Sequence, residues 1–185
     1  ELTASEKSFK NTHSKELIGK LAAGLVENNE VIFIDAGTTT LAMLPYLKGK
    51  PITVVTNGIQ HASLLADQGV ETYLPGGKIK PSTKAIIGSQ SLGELKKYRF
   101  DKAFLGMNGI DLAFGCTTPD PEEAALKQMA HQQAAVTFLL ADKDKWNKVN
   151  FAKVCELEDA TVVTDTLHPE LEHYRNKTTI MEAAK

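Results

Sequence analysis

Short apolar runs alternate with amphipathic, helix-spaced segments along nearly the whole chain, and this alternation restricts the fold more than any other feature. The runs fall at residues 31–35, 52–55, 71–74, 101–106, 135–141 and 160–164, with a further short one at 178–181. Each is short, apolar and bounded by turn residues, which reads as a strand. Between them Leu17, Ile18, Leu21, Ala22, Leu25 and Val26 recur at helical spacing. Residues 59–67, residues 90–97 and the stretch opening at Pro121 read as further helices, proline being favoured at a first helical position. Strands separated by helices are joined by right-handed crossovers and lie parallel. The expected fold is α/β: an open, mainly parallel sheet with helices on both faces. A chain of 185 residues suits one domain of this kind with a proper core.

The first strand runs directly into Asp35-Ala36-Gly37-Thr38-Thr39-Thr40 and then into the apolar-periodic Leu41 to Leu47, which reads as a helix. The first amides of a helix lack intrahelical acceptors and carry partial positive charge, so this junction can hold a phosphate. Equally, Thr38 or Thr39 can simply cap the helix. In open α/β sheets ligands bind beyond the carboxyl ends of the strands. Polar or glycine clusters follow five of the expected strands: Asp35 to Thr38, Thr56-Asn57-Gly58, Pro75-Gly76-Gly77, Gly106-Met107-Asn108-Gly109 and Ala141 to Lys145. Five such clusters on one edge point to a ligand crevice. The G-x-G-x-x-G fingerprint of dinucleotide sites and the Gly-Lys-Thr/Ser ending of nucleotide loops are missing at the first junction, which disfavours nucleotides.

Glu123 and Lys127 stand four apart at a helix start. By themselves they read as an exposed i,i+4 pair, yet the preceding Thr117-Thr118-Pro119-Asp120 aims that helix start at the crevice. Lys145 is a surface lysine or, following the strand end at Asp142, one that reaches a ligand oxygen. Cys116 has no paired base in its segment and reads as a small buried residue, and two cysteines in all give no disulfide framework. The five histidines lie in separate segments without ligand spacing, so neither a metal site nor a cofactor is expected. A net charge of -2 leaves no overall basic field for nucleic acid, and no apolar run is long enough to cross a membrane. The expected location is the cytoplasm. The polar opening, residues 1–12, reads as the remnant of a linker, with the domain proper at residues 13–185.

Taken in order, IDAGTTT at 34–40, VVTNG at 54–58, LPGGK at 74–78, DKAFLGMNGID at 101–111, GCTTPDPEEAALK at 115–127 and LLADKDKW at 139–146 resemble the C-terminal effector-sensing domain of the DeoR family of bacterial sugar-metabolism repressors. The stretch SFKNTHSKELIGKLAAGL at 8–25 resembles the linker and first helix that join that domain to a winged helix-turn-helix, which is expected before Glu1. The resemblance implies the fold of ribose-5-phosphate isomerase, glucosamine-6-phosphate deaminase and CoA transferases. It further implies a phosphorylated sugar as effector, a homo-oligomer, and DNA contacts made only through the upstream domain.

Carried over, Thr38, Thr39 and Thr40 hold the phosphate with Gly37 at their turn, Lys145 lies close to the ligand, and Glu123 sits near the sugar hydroxyls. Asp35, Thr56, Asn57, Gly76, Gly77, Asn108 and Gly109 line the remaining wall, with Lys127 beside them. No residue is assigned a catalytic role. The isomerases carry an acidic Asp-Gly-Ala-Asp-Glu type loop after the fourth strand, where this chain has Gly106-Met107-Asn108-Gly109-Ile110 and only Asp111 follows. A sensor is therefore expected, with a sugar-phosphate isomerase or related enzyme as the alternative.

Overall fold

The computed structural model describes residues 2–183; the outer ends of the two expected segments, residue 1 and residues 184–185, lie outside them. In chain order the elements are α1 (Ala4–Ser8), α2 (Thr12–Gly24), β1 (Val31–Ile34), α3 (Thr38–Leu41), β2 (Thr53–Thr56) and α4 (Ile59–Asp67). Next come β3 (Glu71–Tyr73), β4 (Lys78–Lys80), β5 (Ala85–Ile87), α5 (Ser89–Leu95), β6 (Phe100–Gly106), β7 (Gly109–Asp111) and β8 (Gly115–Thr118). The chain closes with α6 (Pro121–Gln133), β9 (Ala134–Leu140), β10 (Ala152–Cys155), β11 (Thr161–Thr164) and β12 (Thr179–Glu182). Seven strands form one sheet in the order β12-β11-β9-β6-β1-β2-β3, and every neighbouring pair is parallel. The fold is thus the α/β class that the alternation predicts.

Strand periodicity divides the core. Ile32 and Ile34 of β1, Phe104 of β6, Phe138 and Leu140 of β9 and Val163 of β11 pack with Ile18, Ala22 and Ala23 of α2 on one face. The intervening Phe33, Ala103, Leu105, Leu139 and Val162 face the other way, onto Leu95 of α5 and Ala124, Leu126 and Ala130 of α6. Successive side chains of a strand point to opposite faces, so the central strands are apolar wherever both faces are covered, as at Ala103 to Leu105 of β6, whose Asp101 is exposed. Phe104 and Phe138, directly paired in register, stack at 5.3 Å between ring centroids.

Three expectations change. The helix expected to run on to Leu47 is only the single turn α3, followed by a 3-10 turn at Leu44–Tyr46, because Pro45 cannot continue an α-helix. The connections read as loops carry two small antiparallel sheets, the hairpin β4-β5 and the sheet β10-β8-β7. The opening stretch read as linker contains α1, whose Thr3 and Glu6 form a reciprocal capping box. Among the described residues no helix is long and apolar enough to cross a membrane.

Helix α2 lies against the backbone after α3 at Gly19, where an added Cβ would stand 2.5 Å from the Ala42 carbonyl. Gly19→Ala should therefore destabilise the domain by about 1–3 kcal/mol through overpacking. Gly24→Ala, at a position with open space around it, should change stability by less than about 1 kcal/mol. Urea denaturation of both variants checks the contrast.

Candidate functional site

A cavity of about 740 Å³, its open mouth included, sits beyond the carboxyl ends of β1, β2, β6 and β9. Strands β1 and β6 are sheet neighbours, and the crossovers diverge from this point, which is where such sheets open a crevice. Asp35, Gly37, Thr38, Thr39, Asn57, Asn108, Glu123, Lys127 and Lys145, all read from the sequence as site residues, line it together. Thr40, Thr56, Gly76, Gly77 and Gly109 are not among its lining residues.

Each of these five has a packing role. The Thr40 hydroxyl is fully buried and donates within the turn, to the Asp35 carbonyl at 3.0 Å or the Gly37 carbonyl at 2.8 Å. Thr56 accepts from the Gly58 amide at 3.2 Å and shapes the turn after β2. Gly76 donates its amide to Glu94 at 3.1 Å, and Gly77 takes a φ of 150° against Ser91 and β5. Gly109 sits where any side chain would strike the Lys148 carbonyl and Thr117.

The floor is built around Asp35, only 2% exposed. Its carboxylate accepts from the Gly106 amide at 2.7 Å, the Gly37 amide at 3.0 Å and the Lys127 ammonium, with the Thr40 hydroxyl 3.1 Å away as an alternative donor. Lys127 also donates to the Gly106 carbonyl at 2.9 Å. The exposed Glu123–Lys127 pair is therefore not formed: Lys127 turns inward to Asp35, and Glu123 accepts from Thr83 at 2.6 Å and pairs with Lys80 at 3.4 Å. Helix α6 takes its direction from Asp120, whose side chain caps it by accepting from the Glu122 amide at 2.8 Å, with Pro121 at its first position.

Above this floor the amides of Thr38 and Thr39 open α3 and have no acceptor within the helix. Lys145 joins the lining from the turn at Lys143–Lys145. Burial first, and then the positive charges of Lys7 and Lys148, hold its ammonium below the ordinary lysine range, against the opposing pull of Asp142. Asn57 donates to the Ile86 carbonyl at 3.1 Å, whereas its buried Oδ1 has no hydrogen-bond partner among the described residues. Asn108 accepts from Thr118 at 2.6 Å.

Lys7, Thr83 and Thr118 also line the cavity and were missed as site residues. Only Lys7 had a usable signal, the capping spacing of Thr3 and Glu6, which marks a helix where the sequence was read as linker. Cys116 is buried and faces Cys155 across the β8-β10 ladder; the neighbouring thiol and burial push it far above the usual thiol range, which makes it a poor nucleophile. Among the described residues no group of three or more His, Cys, Asp or Glu side chains is placed to hold a metal ion.

The family model of the DeoR C terminal sensor domain matches residues 10–166. The chain is 45% identical over 177 residues to the uncharacterized HTH-type transcriptional regulator FruR of Bacillus subtilis, covering 95% of this chain and 70% of that protein. It is 35% identical over 158 residues to the HTH-type transcriptional repressor GlcR of the same organism, covering 84% of this chain and 61% of the relative. Ribose 5-phosphate isomerase A of Methanocaldococcus jannaschii superposes with a TM-score of 0.56 at 15% identity, covering 74% of this chain and 55% of the isomerase, a likeness of fold alone.

His61 locks the turn that carries the threonines. Its Nε2 lies 2.9 Å from the Gly37 carbonyl, an acceptor only, so Nε2 carries the proton; Nδ1 is buried with no hydrogen-bond partner among the described residues. Burial depresses its pKa to about 4, below the ordinary histidine value. The unfolded chain then binds a proton more readily than the folded one as pH falls from about 6.5 toward 4, so stability is full above that window and declines through it. His61 should account for about 2 kcal/mol of stability lost between pH 7 and pH 5, and His61→Gln should flatten the slope by that amount in urea denaturation at the two pH values.

Proposed function

Since the chain belongs to the DeoR family as its C-terminal sensor domain, we propose that the cavity binds a phosphorylated sugar and that occupancy regulates a longer, DNA-binding parent. One observation carries this reading: the Thr38–Thr39 turn and Lys145 supply hydroxyls, amides and a cation to one cavity that Glu123, Asn57 and Asn108 also line. The first set suits a phosphate, and the second suits sugar hydroxyls. The Asn57 Oδ1 is a buried acceptor that a hydroxyl would satisfy.

Turnover is not part of the proposal. Aldose–ketose interconversion needs a base poised to move a proton between carbons. Here Asp35 is engaged by Lys127 and two amides, and Glu123 by Thr83 and Lys80. The isomerase-like fold keeps that alternative worth assaying, and the expected result is no interconversion by the purified chain. In the parent, DNA contacts belong to a segment upstream of this domain. The domain contributes to assembly of a homo-oligomer in the cytoplasm, and the sugar shifts the balance between DNA-binding arrangements.

Lys145→Ala and the double variant Thr38→Val/Thr39→Val should each lose about 1–3 kcal/mol of binding to the preferred sugar phosphate in calorimetry, the scale for hydrogen bonds to charged groups. In gel shifts the parent protein should bind operator DNA with an affinity that the same sugar phosphate changes, and this domain alone should not bind. Wild-type affinity in both variants, or effector-independent DNA binding, contradicts the proposal.

A further inference from the structure

Helix α1 has five residues, far below the roughly twelve to fifteen an isolated helix needs to persist in water. Its capping box orders its start but cannot fix where it lies. Contacts fix it. The Ala4 amide donates to the Ser82 carbonyl at 2.8 Å, Lys15 of α2 donates to the Lys7 carbonyl, and α1 packs on α3. Just beyond it, Asn11 donates to Asp144 at 2.7 Å and Lys10 pairs with the same carboxylate at 3.5 Å. The segment thus touches α3 with its threonines, the β4-β5 loop next to Thr83, and the turn that carries Lys145. These are three parts of the cavity's rim.

Charge is concentrated at the same place. Lys7 and Lys145 both line the cavity, and Lys15 is buried beneath α1 at 7% exposure. Burial first, then the charges of Lys145, Lys7 and Lys10, hold the Lys15 ammonium below its ordinary range, with Asp142 opposing. Asp142 acts in the same opposing sense on Lys145. Asp144 acts in that sense on Lys145 as well and pairs with Lys10, so two carboxylates serve this cluster. Lys7 and Lys145 line one cavity, where an anion can meet both ammonium groups.

We propose that α1 is a wall of the binding site rather than a tether: Lys7 and Lys145 together grip the anionic group of the ligand, and occupancy tightens the docking of α1 on the body. This rests on the reading of the cavity as a sugar-phosphate site. Any segment preceding α1 would then be held or released according to occupancy, because a ligand that binds only the docked arrangement stabilises it by mass action.

The test uses the 185-residue chain, with inorganic phosphate and a panel of hexose and pentose monophosphates as probes. For the tightest-binding monophosphate, Lys7→Ala should weaken binding about tenfold in calorimetry, the size of a lost charge-assisted hydrogen bond. Lys10→Ala, which alters the same charge cluster outside the cavity lining, should stay within about twofold. Amide hydrogen exchange across Glu6 to Phe9 should slow on binding in the wild type and respond less in Lys7→Ala. If the wild type binds but Lys7→Ala matches it, or Lys10→Ala loses as much, the Lys7 contact is wrong. If Lys7→Ala weakens binding while exchange in α1 does not respond to the probe, the coupling is wrong. If the wild type binds none of the monophosphates at millimolar concentration, the sugar-phosphate reading falls, and this inference falls with it.

Discussion

One carboxylate organises the crevice. Asp35 ends β1, reaches across to the Gly106 amide that ends β6, holds the Gly37–Thr40 turn and takes the charge of Lys127 from α6. Burying an ion pair carries a desolvation cost that its attraction recovers only when the remaining hydrogen-bonding groups are also satisfied. Two backbone amides and the Gly106 carbonyl meet that condition here. The pair is better understood as a device for geometry than as a source of stability. It fixes the ends of two strands, a turn and a helix relative to one another, and the cavity is the space they enclose.

That accounting also separates lining from availability. Asp35 and Lys127 line the cavity, but their charges are committed to each other, whereas the first-turn amides of α3, Lys145 and the Asn57 oxygen still have bonding capacity to offer. Glu123 lies between these cases: Thr83 and Lys80 anchor it, yet a carboxylate has four lone-pair sites and can accept more.

The central strands were legible because burial on both faces forces continuous apolar runs, as in Val31 to Ile34 and Phe138 to Leu140. The start of α6 was legible because Asp120 and Pro121 are chemically specific to a helix entrance. Strands such as β4 and β7 were not, since three residues are too few to show a period, and Lys78-Ile79-Lys80 reads equally well as a loop. Residues that contact the cavity through the turn after β1 could be named from the GTTT junction. The partnership of Lys127 with Asp35 could not, because it depends on β6 lying beside β1 and on the face that α6 presents, and the two residues are 92 apart in the chain. Thr40 shows the same limit from the other side: three adjacent threonines look alike in sequence, and only the tightness of the turn decides which one points inward.

The sheet order has a consequence for how the molecule is assembled. On one side of the crevice stand β1, β2 and β3, drawn from the first half of the chain; on the other stand β6, β9, β11 and β12, drawn from the second. Across that line the two halves are joined within the sheet by a single ladder, β1 to β6. A small molecule seated there bridges a seam between two sequentially separate sections of the chain. It would act as a mortise pin, its grip resisting the parting of one half of the sheet from the other.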